Sequence, residues 1–587
     1  MTRGGYSRGA RLAALPASEP ITKTRLAESA PRLLPAAWSA VLAAVLLWPQ
    51  HGTGYGLGHD MVFTPRQPLS WASVGLGSSS PRAVPLDAIV GVASKVADGA
   101  VIGRLALIFP LLAAGIGAAW LIGTERLLGR LAASGFAIWN PYVVERLALG
   151  QWALLWAYGA LPWIVGHAAR MRRGRSGPAG MLLWTAAASI TPTGGLIAGA
   201  TGLVVSAPDD RAGWRRWCPA VAGVLALQLP WVVPSVVGSA QATSDPQGVA
   251  AFAARSEHAG GTLLSLAGTG GIWDAEVVPV SRQGLLAFAG LAAIVAAAVF
   301  GWRRLAQLLG ATTTVRLAAC GAAGFVLAAA ASVPGLSAVM RWAVRTVPGA
   351  GLLRDSQKWI MPYPLLVALL VGAAVGRLAV LETWRVAVAA VALAGPLMLL
   401  PDATRALRPT MEPVHYPADW SWAARTVGHG GDVAVLPFQS YRGFVWAPGR
   451  SVLDPAPRLL PGDVVVSDRL AVSGRVLRGE DSRAQQVDQA LAAGPEISER
   501  LAAIGIGWVL VEHGTPGRLP DLSALTRVRS GPDLTLYQVP SPVHHAGPSA
   551  ARIGLVLAGD VAGLTVAAAA ASVLLAQRRK VRYRAIP

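Results

Sequence analysis

Residues 48–68 read WPQHGTGYGLGHDMVFTPRQP. An apolar run over 33–48 stops here, and a polar, glycine-rich loop begins. Glycines at 52, 54, 56 and 58 let the backbone bend close to a ligand. The loop then presents His59 and Asp60 side by side, followed by Arg66 and Gln67. A carboxylate held between a membrane interface and water can take the proton from a hydroxyl acceptor. His59 and Asp60 are therefore catalytic candidates, and a loop-capping aspartate is the plain alternative. Everything around the loop reads as a scaffold that holds it at a membrane face.

Composition supports that scaffold. The chain has 587 residues, 53% hydrophobic and only 14% charged, with a mean hydropathy of +0.47, whereas soluble domains carry about 25% charge. The net charge of +20 does not indicate nucleic acid, because the basic residues form short clusters between apolar runs, as in cytoplasmic loops. Cys218 and Cys320 lie in or beside expected spans, and CxxC is absent. Neither a disulfide framework nor a metal-ligand set is indicated. No cofactor is called for, and use of a divalent metal stays open. No Walker A, HExxH, GxSxG or Rossmann fingerprint stands in a fitting context, which disfavours an ATP-driven pump.

Apolar runs of roughly 20 residues mark spans. They fall near 33–49, 101–123, 127–140, 150–168, 179–191, 194–207, 217–236, 284–301, 317–333, 361–376, 386–400 and 553–576. Residues 179–206 read as one span or as two split at TPTGG (191–195). The split puts the basic clusters at 169–178, 208–216, 302–316 and 577–587 on one side, which the positive-inside rule favours. The expectation is an α-helical integral membrane protein of about twelve spans, with residues 1–32 a cytoplasmic tail and both termini inside.

Four outer segments follow: 50–100, 237–283, 334–360 and 401–552. Residues 85–99 have helical apolar spacing and read as an interfacial amphipathic helix. The last segment alternates strand-like runs (433–437, 464–466, 508–512, 534–539) with helical ones (420–427, 483–493, 497–504), and predicts a small extracytoplasmic α/β domain before the last span. Arg354 and Lys358, within RDSQK (354–358), suit a lipid phosphate, with Arg66 assisting. Glu145, Arg146, Gln151 and Asp355 are supporting candidates. Glu257, Asp274 and Glu276 offer second acids, although acids two apart in a loop are commonly just solvated. Asp560 is an intramembrane carboxylate. Trp420, Trp422, Tyr441 and Trp446 are candidates for stacking on sugars or for core packing.

Three segments, GHDMVF (58–63), WNPYVVERLALGQWALLWAYGALPW (139–163) and PGAGLLRDSQKW (348–359), resemble the membrane core of the arabinofuranosyltransferases of mycobacteria and other actinobacteria. Those are GT-C glycosyltransferases of arabinogalactan and lipoarabinomannan assembly. The resemblance covers 33–400 as a GT-C-like domain. It implies inverting transfer of arabinofuranose or mannose from a polyprenyl-phosphate donor to a cell-envelope glycan or glycolipid at the plasma membrane. The family's acid in the first outer loop maps by position onto Asp60. Family members often carry a pair of acids there; here the neighbour is His59, and the next aspartate is Asp87. Membrane lipids, the donor and the acceptor are the expected partners, with a complex with other envelope enzymes also open. The alternatives are a lipid-linked glycan transporter or flippase, for which TPTGG and Asp560 speak, and a non-catalytic partner of envelope enzymes.

Overall fold

The computed structural model describes residues 21–584 except 82, 239–243, 381, 429–430, 473 and 544–546, with side chains over 33–579 apart from 382. Of the expected tail over 1–32, residues 1–20 lie outside the described residues, and 21–32 are the first turns of helix Ile21–Leu46. Helices Gly99–Leu121, Leu127–Ile138, Trp152–Arg172, Leu285–Leu309 and Pro362–Leu378 pack around one apolar core. Small residues let their backbones touch. A Cβ on Gly129 would lie 2.5 Å from the Gly372 carbonyl oxygen, the close approach that membrane helices use.

Among the described residues five helices are long and apolar enough to cross a membrane, or seven if two bent pairs each count as one span. The chain is a multi-pass membrane protein. The expected count of about twelve also relies on helices too short to cross alone, such as Leu127–Ile138 with 12 residues and Ala179–Ala188 with 10. TPTGG does split its stretch: Pro192–Ser206 starts a new helix, with the Thr191 hydroxyl accepting from the Gly194 amide at 3.3 Å. Met181 packs against Gly202 and Ser189 against Gly195, so the two pieces form an antiparallel hairpin. The 217–236 run is broken between Ala226 and Leu229 with a 47° bend. Pro230 occupies the first turn of the second piece, where a missing N–H is tolerated. Residues 302–316 were expected as a loop. They are helical except for a turn at Gly310, whose φ of +88° favours glycine.

The basic segments meet at one end of the bundle. Arg172 and Arg316 hold Asp209 at 2.5 and 2.9 Å, and Arg304 holds Glu125 at 2.7 Å. Helix Trp152–Arg172 carries Arg172 at this end and begins beside Gln151 at the other, about 30 Å away at 1.5 Å per residue.

Beyond that other end sits a five-stranded sheet, in the order Thr526–Ser530, Leu534–Gln538, Ile506–Glu512, Asp432–Leu436, Val464–Val465. The first three strands pair antiparallel and the last two join in parallel. Both faces are covered, and the two-residue period sends alternate side chains to different cores. Val433, Val435, Trp508 and Leu510 face helix Ala418–Val427, while Ala434, Leu436, Val509 and Val511 face Ser482–Leu491 and Ile497–Ala503. The edge strand Thr526–Ser530 is exposed throughout, and its sequence TRVRS gives no apolar signal. Trp420 is fully buried and packs with Phe444 and Trp446, and Trp422 stacks on Arg529. These tryptophans build the core instead of a sugar platform. Helix Ala403–Met411, expected within the sheet segment, packs its Ala403, Leu407 and Met411 into the bundle core.

The 50–68 loop joins the two units. Leu57 and Val62 belong to the sheet-side core, Met61 and Phe63 to the bundle core. The amphipathic expectation over 85–99 becomes helix Leu86–Ala93, with Ile89, Val92 and Val96 exposed. Single cysteines at 175 and 215, in a chain lacking Cys218 and Cys320, should react with impermeant thiol reagents from one side of the membrane, and a cysteine at 475 from the opposite side. Labelling of all three from one side would overturn this arrangement.

Candidate functional site

Gly58 and Met61 pair across a two-residue hairpin turn, His59-Asp60. Such turns need positive φ, and His59 takes it at 46°, at a cost of about 1–2 kcal/mol for a residue with a Cβ. The turn is held from both sides. The His59 amide donates to Ser451 O at 2.8 Å, Leu453 N donates to His59 O at 2.8 Å, and Asp60 N donates to Leu149 O at 3.2 Å. Gly150 makes that last contact feasible. Its φ is +74°, and a Cβ there would stand 2.4 Å from Met61 N.

Asp60 is thereby fixed, half-buried, in the wall of a cavity of about 930 Å³ between bundle and sheet. The Tyr441 hydroxyl donates to its Oδ1 at 2.5 Å and the Gln151 amide to its Oδ2 at 3.0 Å. His59, Phe252, Arg255, Trp273, Arg354 and Lys358 also line the cavity.

Behind this wall lies Arg146, fully buried. NPYVVER forms the short helix Pro141–Ala148, capped by Asn140, which aims the guanidinium inward. Arg146 donates to Gln151 Oε1 at 2.5 Å, to both Asp355 carboxylate oxygens at 2.9 and 3.1 Å, and to Gln357 Oε1. Lys358 Nζ reaches Asp355 at 3.2 Å. An unbroken polar chain therefore runs Asp60–Gln151–Arg146–Asp355–Lys358. Burial alone would raise the Asp355 carboxyl, but Arg146 and Lys358 override it and hold it down at about 2. Arg354 pairs with Glu480 of the sheet unit at 2.7 Å.

Glu145 points away from the cavity into the protein. It is fully buried beside Glu257, which Arg282 holds at 2.9 Å. Burial, then the Glu257 charge, pushes the Glu145 carboxyl well above its ordinary value. The neutral acid donates to Glu257, so the pair is a structural plug. Asp274 and Glu276 reach the cavity rim, where Asp274 accepts from the Glu276 amide at 3.0 Å. Arg66 does not join the cavity. It is exposed and donates to Ser94 O at 3.2 Å, tying the loop to the end of the amphipathic helix. Asp560 lies on a helix packed against Leu229–Gly238 and Ala179–Ala188, also outside the cavity. Among the described residues no group of three or more His, Cys, Asp or Glu side chains is gathered to hold a metal ion.

Sequence reasoning weighed Tyr441 for stacking or core packing and gave Gln357 no role. A tyrosine some 380 residues from its carboxylate partner leaves no local signal. Gln357 could have been read from its place between Asp355 and Lys358.

The fold is a helical membrane bundle with a polar cavity at one end and a sheet unit over it. Among solved structures the chain is similar to arabinofuranosyltransferase AftD from Mycobacteria. A mutant form matches with TM-score 0.55 and 17% identity over 87% of this chain and 41% of that one. A second AftD structure matches with TM-score 0.52 and 18% identity over 88% and 40%. The chain thus spans about two fifths of the length of the AftD chains it matches. No family model matches the sequence, and no curated protein does.

Gly150→Ala should unseat the Asp60 turn and lower stability by more than ~1 kcal/mol, read as a reduced Tm in detergent; an unchanged Tm would show that the turn tolerates the methyl group. Glu145→Gln keeps the shape and the donor, so Tm should stay near wild type, whereas Glu145→Ala should lower it. The raised carboxyl also sets a sign. Its stabilisation is complete below the ordinary glutamate value of 4.5 and is lost as pH rises towards its folded-state value. A Tm–pH profile should show that decline in wild type and a flatter one in Glu145→Gln.

Proposed function

We propose that this protein is a membrane glycosyltransferase that moves a sugar from a polyprenyl-phosphate donor to a cell-envelope glycan or glycolipid at the outer face of the plasma membrane. The observation that carries this reading is one cavity with a fixed carboxylate, Asp60, in one wall and cations, Lys358 and Arg354, in another. The basic segments at the far end of the bundle support an outward-facing cavity. The likeness to AftD favours arabinofuranose over mannose as the donor sugar.

In this mechanism the acceptor hydroxyl approaches Asp60, which takes its proton as the oxygen forms a bond to the sugar's anomeric carbon. The bond from that carbon to the phosphate oxygen breaks on the opposite face, and the electron pair leaves with the polyprenyl phosphate. One displacement inverts the centre without a covalent enzyme intermediate. Lys358 and Arg354 stabilise the phosphate charge. Tyr441 and Gln151 donate to the two Asp60 oxygens and aim the carboxylate. His59, next to it in the cavity lining, offers a second polar contact.

A second reading, transport of a lipid-linked glycan, draws on Thr193. This residue lies at the broken helix and lines the same cavity. Asp560, the other residue that suggested transport, lies outside the cavity lining.

Asp60→Asn keeps both hydrogen-bonding positions occupied but loses the base, so turnover with a polyprenyl-phosphate sugar should fall by ~10²–10⁴-fold at matched protein level. Lys358→Ala should act first on the donor KM. Labelled polyprenyl-phosphate arabinose and mannose in membranes, with wild type against each variant, read both effects. Near-wild-type turnover by Asp60→Asn would remove Asp60 as the base, and glycan movement without transfer would favour transport.

A further inference from the structure

A second cavity, of about 410 Å³, adjoins the first and shares Phe438, Ser467 and Arg469 with it. Its volume lies within the ~300–1,000 Å³ of small-molecule sites. The lining charges cancel, with Asp245, Asp468 and Asp488 against Arg345, Arg469 and Arg478. Most are engaged with their neighbours: Arg469 pairs with Asp488 at 2.9 Å, and Asp468 accepts from the Asp481 amide at 2.7 Å. No surplus positive charge is left for a phosphate. The walls instead present side-chain amides, Gln485 and Gln489, each able to donate and accept, with the Phe438 ring at the junction. That chemistry suits a neutral ligand rich in hydroxyls.

We propose that the second cavity binds the acceptor glycan: a neutral oligosaccharide whose terminal sugar lies at Asp60 and whose preceding sugars extend past Ser467 and Arg469 into this cavity. The proposal rests on the transferase reading for its direction, with the reacting hydroxyl at Asp60. It makes the enzyme an elongating one that prefers longer acceptors, since only a chain of several sugars occupies both cavities. The helix Ser482–Leu491 presents Gln489 exposed to the cavity, away from the groups assigned to the chemistry.

The test uses the purified full-length protein, a neutral arabinofuranosyl hexasaccharide and the matching disaccharide. Titration calorimetry should show the hexasaccharide binding about tenfold tighter or better, ~1.4 kcal/mol. Gln489→Trp, which fills the cavity from an exposed position, should erase that advantage and leave disaccharide binding unchanged. Equal binding of the two sugars, no binding at millimolar concentration, or an equal loss for both in Gln489→Trp would overturn the proposal. Turnover assays separate the two readings. Transfer without a length preference sinks the acceptor site alone. A calorimetric preference for the hexasaccharide that Gln489→Trp abolishes, in a protein that transfers no sugar, keeps the glycan site and sinks the transferase.

Discussion

A buried guanidinium must be fully paired, because an isolated charge in an apolar core is costly. Arg146 imposes that requirement on this molecule. Its partners come from Gln151, at the start of the next helix, and from the distant run Asp355–Gln357. Removing one side of such a pair typically costs about 3–5 kcal/mol. The two segments that wall the cavity are therefore locked to each other behind it. The same chain of contacts reaches Asp60 at one end and Lys358 at the other, so the position of the proposed base and the position of the proposed phosphate ligand are set by one charge.

The second constraint is the division of labour in the Asp60 hairpin. Side chains on its two faces enter two different cores, Leu57 and Val62 towards the sheet, Met61 and Phe63 towards the bundle. Slipping the hairpin by one residue would exchange these faces. The sheet unit also supplies Tyr441 to Asp60 and Glu480 to Arg354. It completes the cavity instead of merely sitting above it, which agrees with a site whose acceptor approaches from the sheet side.

The carboxylates sort by environment. Asp60 is half-buried and faces the cavity. Asp355 is buried between two cations and is held down at about 2, so it remains a charged counter-ion. Glu145, buried against Glu257, is driven the other way. Three acids within a few residues of the quoted motifs thus take three different roles, and burial and neighbouring charge decide among them.

Much of this was legible in the sequence. Apolar runs and basic clusters gave the membrane class, the helix break at Thr191 and the run of strands and helices after 432, because hydrophobic periodicity is a local property. The placement of Asp60 outside the first span, and of Arg354 and Lys358 before a later one, was also local. Tertiary structure decided the rest. It paired Arg354 with Glu480, left Arg66 on the surface, turned Glu145 inward, buried Trp420 and brought Tyr441 onto Asp60. Each of those outcomes depends on contacts between residues far apart in the chain. Spacing and composition carry no record of which distant side chain will satisfy a buried charge; only the packed bundle and sheet do.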